Sequence, residues 1–556
     1  MKEIFSQFLE EAIEKLQKEK IWPVFALPVI ELSYPTHKEH GDVSSNIALR
    51  LSKVLKMSPM HIGEQLARLL QKNTALQDVC DRVALIPPGF LNFHFNTAIV
   101  MQELGRILDA KKTFGSSKIG RGKRVTVEFI SANPTGPLTL PNARGGFAGD
   151  TLANVLRMQG YAVKKEYYIN DIGNQIDLLA ESVVRRYLQS KGISVEYPEH
   201  LYQGEYIHDI ARQLKLKITR AQLEQEDAIR KIAETIRDEV LTMSIHDIQR
   251  VIKEKMGIQY HYWFRESSLY TKINLKSFLQ QLEKDGLVYK QDEAFWFATK
   301  KFGDDKDRVI VKMNGAQTYF LSDILYLRKR LIVDTYDRKI LFLGADHHGY
   351  VKRFQAVAKA FGAAGKLDIV IMQMAKLLKD GKEVRMSKRK GTFVTIEEVI
   401  DEVGTDVARF FFLMYASDTH LDFNMNLAKE QSEKNPVYYV QYAFVRIASI
   451  ERELKKRFAR LKRSEIKTMT HEAEKELVKK LSELPEIMQE VSKSYELHLL
   501  PLYAISVAKA FHNFYTQCRV IEDTGVNVIR AYILQATKQV LRTVLETMGV
   551  TTPEKM

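Results

Sequence analysis

Four short stretches of the chain hold residues whose types and spacing could do chemistry. The first reads RGKRVTVEFI SANPTGPLTL PNARGGFAGD TLANVLRMQG over 121–160. Its β-branched run at 125–130 predicts a buried strand. Asn133, Pro134, Gly136 and Pro137 mark a turn. A helix is expected to start near 141–142 and to run to Gly160, because proline suits a first helical turn and glycine an end. Strand, tight turn and helix in that order aim free N–H groups and the positive end of a helix dipole at whatever lies above the strand, and phosphate is the usual guest. The second stretch, TYFLSDILY, sets Tyr319 and Asp323 four residues apart, on one face of a helical turn. The third, GADHHGY at 344–350, follows an apolar strand at 340–343. Open α/β sheets bind ligands at the carboxyl ends of such strands. The fourth, VRMSKRKG at 384–391, crowds Arg385, Lys388, Arg389 and Lys390 into a loop closed by Gly391.

Each stretch has a plainer reading: any βα unit, a surface aspartate beside a core tyrosine, a solvated basic loop. Their order along one chain says more than any one of them. His347 and His348 could ligate a metal, but no other His, Asp or Glu stands at a recognised zinc spacing. No Ser-His-Asp or Cys-His arrangement suggests a covalent nucleophile.

The chain has 556 residues, 45% hydrophobic and 27% charged, the balance of an ordinary globular protein. At roughly 150 residues per domain it has room for three or four domains. A net charge of +14 and a pI of about 9.3 point to a polyanionic partner, nucleic acid before membrane. Two cysteines, Cys80 and Cys518, exclude a disulfide framework and a cysteine-based zinc site, and fit a reducing, cytoplasmic compartment. The charged, amphipathic first twenty residues lack the apolar core of a signal peptide. No apolar run is long enough to span a membrane.

Residues 1–112 read as an α+β module. Phe5, Phe8, Leu9, Ala12 and Leu16 form a helical stripe, helices are expected at 47–55 and 61–71, and strands at 82–86 and 91–95 flank Pro87-Pro88-Gly89. A Gly/Ser/Lys-rich linker at 111–123 leads into a unit spanning 113–430. There a strand at 162–169 precedes NDIGNQID, which opens a long helix ending near 191–192. Residues 195–255 read as an inserted polar helical segment. Strands are expected at 259–264, 287–289, 295–298, 309–312, 318–320 and 368–374. From 431 to 556 the pattern is all helix, with Val437, Val440, Phe444, Ile447 and Leu454 on one apolar face. The basic run at 453–467 is a solvated face or an RNA contact.

The wording of these stretches resembles class I aminoacyl-tRNA synthetases, and closely the arginyl family. SANPTGPL followed by ARGGFAGDTLANVL resembles that family's first active-site segment, and R-M-S-K-R its Lys-Met-Ser-Lys loop except at the first position. HGDVSSNIALRLSK and PPGFLNFHFN resemble its N-terminal module. The resemblance implies an α/β Rossmann-like class I catalytic domain, an α+β N-terminal tRNA-binding domain and an all-α C-terminal helix bundle that binds the anticodon. It implies a ligase that joins arginine to AMP and passes it to tRNA-Arg, with ATP as substrate and Mg2+ bound with the ATP, acting as a monomer. By the same resemblance Glu266, Tyr319 and Asp323 hold the substrate guanidinium. A planar cation with five donors asks for carboxylates and a hydroxyl in fixed places. Glu128, Ser131 and Asn133 would face the α-amino group, and His347 would line the amino-acid site. ATP would lie against Pro134, Gly136, Thr139, Pro141, Asn142, Gly344, Asp346, His348, Met386, Ser387 and Lys388. Thr139, Asn142, Arg385 and Lys388 would supply the catalytic donors. Family members commonly need tRNA present to activate arginine, which is expected here too.

One departure stands out. The family's His-x-Gly-His reads Thr139-Leu140-Pro141-Asn142 in this chain. Threonine and asparagine donate hydrogen bonds but carry no positive charge. Losing a transition-state donor outright costs about 2.7–4 kcal/mol, and exchanging one neutral donor for another should cost less. Pro141 takes up space that adenine would use. The rival expectation is a synthetase-like protein that binds tRNA and no longer activates arginine.

Overall fold

The computed structural model describes residues 2–35, 37–219, 227–271, 273–384, 394–458, 461–523 and 525–555. The first helix, Lys2–Lys18, buries the expected stripe together with Ile13. Its Phe5 stacks on Phe95 and tilts on Phe93, with ring centroids 5.0 and 5.1 Å apart. This pins the helix to an antiparallel sheet of β1 (Leu32–Ser33), β2 (Val43–Ser45), β3 (Cys80–Ile86) and β4 (Phe90–Phe95), ordered β1-β2-β4-β3.

The central sheet is built from β5 (Arg124–Glu128), β6 (Ala162–Ile169) and β7 (Tyr262–Arg265). A separate antiparallel sheet holds β8 (Val288–Gln291), β9 (Ala294–Phe297) and β10 (Arg308–Val311). The chain then returns to the central sheet with β11 (Arg338–Gly344) and β12 (Leu367–Met372). The order β12-β11-β5-β6-β7 is parallel throughout. Strand order reverses between β5 and β11, so the crevice of a doubly wound sheet opens above Glu128 and Gly344. The helix Leu140–Met158 follows β5 and is buried along most of its length. It runs so close to the sheet that a side chain on Gly149 would meet the Phe129 ring at 2.3 Å.

Two bodies are inserted. The first begins earlier than the polar text suggests. Helices Asn174–Ser190, Glu205–Gln213 and Ala228–Arg250 share one apolar cluster that includes Leu179, Val183, Ile207 and Val240. The second joins β8–β10 to helices Leu275–Lys284 and Tyr319–Arg328 around Phe297, Ile310 and Ile324. Here the strand expected at 318–320 is a helix start. Thr318 is extended and its hydroxyl donates to Val309 O at 2.9 Å, tying the helix entry to the β-sheet, so strand-forming residue types serve as the entry and first turn of a helix. The C-terminal bundle holds helices Pro436–Arg457, Glu472–Ser482, Leu484–Ser494, Leu499–Gln517 and Val528–Met548. No helix among the described residues is long and apolar enough to cross a membrane.

Two buried arginines lock the helix Leu140–Met158 in place. Arg144 donates to the carbonyls of Gln373, Met374, Ala416 and Thr419 at 2.7–3.3 Å. Arg409 pairs with Asp150 at 2.6 Å and donates to the carbonyls of Met256 and Met548, both at 2.9 Å. Lys165 holds the other Asp150 oxygen at 2.5 Å. Burial pushes the Asp150 carboxyl up, but the two cations outweigh it and hold it below its usual range. Removing one partner of a buried pair typically costs about 3–5 kcal/mol. Arg409→Ala should therefore lower the free energy of unfolding by an amount in that range, as read by urea denaturation followed by circular dichroism.

Candidate active site

At the start of the helix Leu140–Met158, Asn142 Oδ1 accepts the backbone N–H and the hydroxyl of Thr139, both at 3.0 Å. With its oxygen so engaged, the Asn142 amide keeps its NH2 as the group able to donate outward. Pro141 lies in the first turn, where a missing N–H breaks nothing. Thr139 also pairs with Thr395, and the Ile396 N–H donates to Leu138 O at 2.9 Å. Arg385, Met386, Ser387 and Lys388 lie outside the described residues. Both flanks of that stretch are placed: Val384 donates its N–H to Leu377 O at 2.9 Å, and Thr395 sits on the helix start just described. The chain following residue 393 thus meets the helix N-terminus through Thr395 and Ile396.

The turn between β5 and the helix is strained. Ile130 and Ser131 have φ of 65° and 40°, rare for side-chain-bearing residues and worth about 1–3 kcal/mol each. The strain places the Ser131 hydroxyl to donate to Glu128 Oε1 at 3.1 Å while accepting the Tyr168 N–H at 3.0 Å. Asn133 donates to Gln175 Oε1 at 2.8 Å. Pro134 is buried. A side chain on Gly136 would begin 3.3 Å from the Tyr206 ring, and the Tyr206 hydroxyl donates to Thr135 O at 2.7 Å. Across the crevice Gly344 ends β11. Asp346, His347 and His348 follow in exposed positions, with His347 Nε2 3.6 Å from Asp346 Oδ2.

The other end of the crevice is acidic. Glu266, directly after β7, is only 3% exposed, and burial raises its pKa. Asp323 is pushed up to about 8 by burial, then by the charges of Glu266 and Glu128, with Arg353 opposing. Tyr168, rising from β6, is shifted far upward by burial and by the charges of Glu266, Asp323 and Glu128, and it shares a hydrogen bond with Glu266, which also bonds Ser322, the residue before Asp323. Tyr319 is 67% exposed, its hydroxyl 3.7 Å from where a Gly173 side chain would begin. Glu128 is buried with three hydrogen bonds already accepted, from Ser131, Tyr326 and Lys339. Of the roughly four lone-pair sites on a carboxylate, that leaves one open. A site so rich in carboxylates suits a planar cation with several N–H donors.

Among the residues named from sequence, Glu266 acts on the charge of Asp323 and bonds Ser322 beside it, and Glu128 bonds Ser131. Thr139 and Asn142 meet each other. Tyr168, Tyr326 and Arg353 were missed. Arg353 lies over the Tyr350 ring at 4.4 Å and close enough to Asp323 to act on its charge. Nothing in the spacing of YYIND or YVKRF set these residues apart.

In the C-terminal bundle a groove of 930 Å³ is lined by Tyr439, Tyr442, Arg446, His512 and Tyr515. The Arg446 guanidinium covers the Tyr515 ring at 4.6 Å. Aromatic faces beside a cation are the usual platform for unpaired bases.

Family models for the catalytic domain of class I (R) tRNA synthetases, the arginyl tRNA synthetase N terminal domain and the DALR anticodon binding domain match residues 103–410, 2–95 and 440–556. The arginine–tRNA ligase of Citrifermentans bemidjiense is 41% identical over 95% of both chains. The chain belongs to the arginyl-tRNA synthetase family. The arginine–tRNA ligase of Heliobacterium modesticaldum is 39% identical over 98% of this chain and 97% of its own. The Thermus thermophilus arginyl-tRNA synthetase shares the fold, with a TM-score of 0.75 at 20% identity over 99% of this chain and 100% of that one. The family's catalytic-domain match thus spans the Thr139–Asn142 segment.

The raised Asp323 pKa has a stability consequence. Below about pH 4 the carboxyl is protonated in the folded and unfolded chains alike. As pH rises toward 8, only the unfolded chain ionises freely, so the folded state is progressively penalised. Asp323→Asn should raise the melting temperature of the ligand-free protein at pH 8–9 and leave it unchanged near pH 4. Added arginine should stabilise the wild type and not the variant, which thermal unfolding with and without arginine checks directly.

Proposed function

We propose that this protein is an arginine–tRNA ligase. It joins L-arginine to AMP from ATP and transfers the arginyl group to the 3′-terminal adenosine of tRNA-Arg. The observation that carries the reading is the acidic end of the crevice, where Glu266 bonds Tyr168 and Ser322 and its charge raises Asp323, in a parallel sheet whose strand order reverses at β5. In this reading Glu266, Asp323 and Tyr319 bind the guanidinium. The open lone pair of Glu128, with Ser131 and Asn133, faces the α-amino group, and His347 lines the same site. The arginine carboxylate attacks the α-phosphorus of ATP, and the bond to the bridging oxygen of pyrophosphate breaks. Negative charge then builds on the transferring group and on the leaving pyrophosphate, so catalysis is mostly positioning and charge stabilisation.

The N-terminus of the helix Leu140–Met158, Thr139, Asn142, Arg385 and Lys388 supply donors to that charge. Pro134, Gly136, Pro141, Gly344, Asp346, His348, Met386 and Ser387 shape the nucleotide site. Mg2+ arrives with ATP, bound by its phosphate oxygens. Residues 1–112 act as a tRNA-binding module, 113–430 as the catalytic domain with its insertions, and 431–556 as the anticodon-binding bundle, whose aromatic groove takes unpaired bases. The protein works as a cytoplasmic monomer.

Charging of purified tRNA-Arg with labelled arginine tests the reading. Lys388→Ala and Asp323→Asn should each cut it by about 10²–10³-fold, the loss typical of a transition-state donor or a fixed charge partner. The KM for arginine should fall as pH rises from 7 to 9, because Asp323 must shed its proton to pair with the guanidinium. Arginine activation should need tRNA, and equal pyrophosphate exchange with and without tRNA would refute that requirement. The second reading, a tRNA-binding relative without activity, draws on Thr139 and Asn142 alone. Tight tRNA binding without charging, unrescued by Thr139→His with Asn142→His, would establish it.

A further inference from the structure

The candidate guanidinium site rests on two separate bodies. Tyr168 and Glu266 belong to the parallel sheet, on β6 and directly after β7. Tyr319 and Asp323 ride the helix Tyr319–Arg328 of the second inserted body. A buried cluster joins the two. The Tyr326 hydroxyl, on the same helix as Asp323, lies 2.5 Å from Glu128 Oε2 and 2.6 Å from Glu166 Oε1. Lys339 Nζ, fully buried on β11, donates to Glu128 Oε2 at 2.7 Å and to the Tyr326 hydroxyl at 2.9 Å. Arg330, just past that helix, donates to Glu166 Oε1 through Nε and Nη2 at 3.0 and 2.7 Å. It also donates to Asp334 at 2.5 Å, and Lys329 holds the other Asp334 oxygen at 2.8 Å.

The charges balance: Glu128, Glu166 and Asp334 against Lys339, Arg330 and Lys329. Central strands of a parallel sheet ordinarily carry apolar residues. Apolar side chains of similar volume would often be at least as stable as such an ion cluster. Stability alone therefore does not account for it. What the ions supply and apolar contacts do not is direction: each bond fixes one atom of the helix against one atom of the sheet.

We propose that Tyr326 and Lys339 are positioning residues for arginine recognition. They hold the helix Tyr319–Arg328 against β5, β6 and β11, so that Asp323 keeps the separation from Glu266 that a guanidinium spans. The inference rests on the ligase reading and adds residues that touch no substrate. Its consequence is selective, because the nucleotide end of the crevice is built on the helix Leu140–Met158 and shares none of these bonds.

Tyr326→Phe removes the hydroxyl's contacts with Glu128, Glu166 and Lys339 and keeps the ring, which packs edge-on to Tyr168 at 4.7 Å and tilted on Phe264 at 4.9 Å. In arginine-dependent pyrophosphate exchange with tRNA present, the KM for arginine should rise about tenfold, the worth of one charge-assisted hydrogen bond. The KM for ATP and kcat should stay within about twofold. Lys339→Gln keeps a donor toward Glu128 and should give a smaller rise, and it carries the same test where the phenylalanine variant fails to fold. Unchanged arginine KM in both variants of an active wild type overturns the inference and leaves the ligase reading intact. Arginine and ATP KM rising together also overturns it, since that marks general loosening. A wild type that activates no arginine removes the ligase reading and this inference with it.

Discussion

Glu266, hydrogen-bonded to Tyr168 and Ser322, and Asp323 on the neighbouring helix lie close enough for each charge to act on its surroundings, and burial raises the pKa of both carboxyls. The surrounding structure has to tolerate that concentration of negative charge until a cationic ligand relieves it. Part of the answer is selective neutralisation. Lys339 pairs with Glu128, while Asp323 and Glu266 have no cation in a salt bridge among the described residues. Asp323 instead drifts toward its neutral form, its pKa pushed to about 8. The site thus holds unspent electrostatic attraction for one planar cation, at a place chosen by the sheet.

The crevice is polarised from end to end. Its acidic end lies on β6, after β7 and on the helix Tyr319–Arg328, and its other end is a helix N-terminus with Thr395 paired beside it. A zwitterionic amino acid with a cationic side chain and a nucleoside triphosphate sort themselves along such a field. The cation seeks the carboxylates, and the phosphates seek the helix dipole and donors. That orientation brings the amino-acid carboxylate toward the phosphates, which is the geometry a carboxyl-activating reaction needs.

The sequence was most legible where residue type and local conformation agree. β5, its turn and the following helix could be drawn from Pro, Gly and the β-branched run, because a βα unit is local. Tyr319 and Asp323 could be paired by helical spacing, although the TYF letters read as strand. The helix start became visible only once Thr318 had a strand carbonyl to bond. Lys339 and Tyr326 were illegible for a different reason. A lysine opening a strand and a tyrosine within an apolar helix carry no local signature. Their meaning comes from Glu128 and Glu166, which lie 211 and 160 residues away along the chain. The first inserted body was misjudged by composition, since its opening helix, Asn174–Ser190, is polar outside yet buries Leu179 and Val183 against partners that come later in the chain.

The helix Leu140–Met158 is the member on which the remaining parts converge. Its first turn carries Thr139 and Asn142, and its second contains Arg144, bonded to four carbonyls from two connecting segments. Asp150, two turns further on, is gripped by Lys165 and Arg409. Thr151 and Asn154 donate to the carbonyls of Met548 and Thr547 at the end of the last helix of the bundle. From Asn142 to Asn154 is about 18 Å at 1.5 Å per residue. Buried nearly throughout, the helix behaves as a rigid rod. The same rod explains why the His-to-Thr and His-to-Asn departures leave the fold intact. Its placement depends on Arg144, Asp150 and the close approach at Gly149, none of which lies within the altered four residues. Chemistry at the helix start can vary while its position cannot.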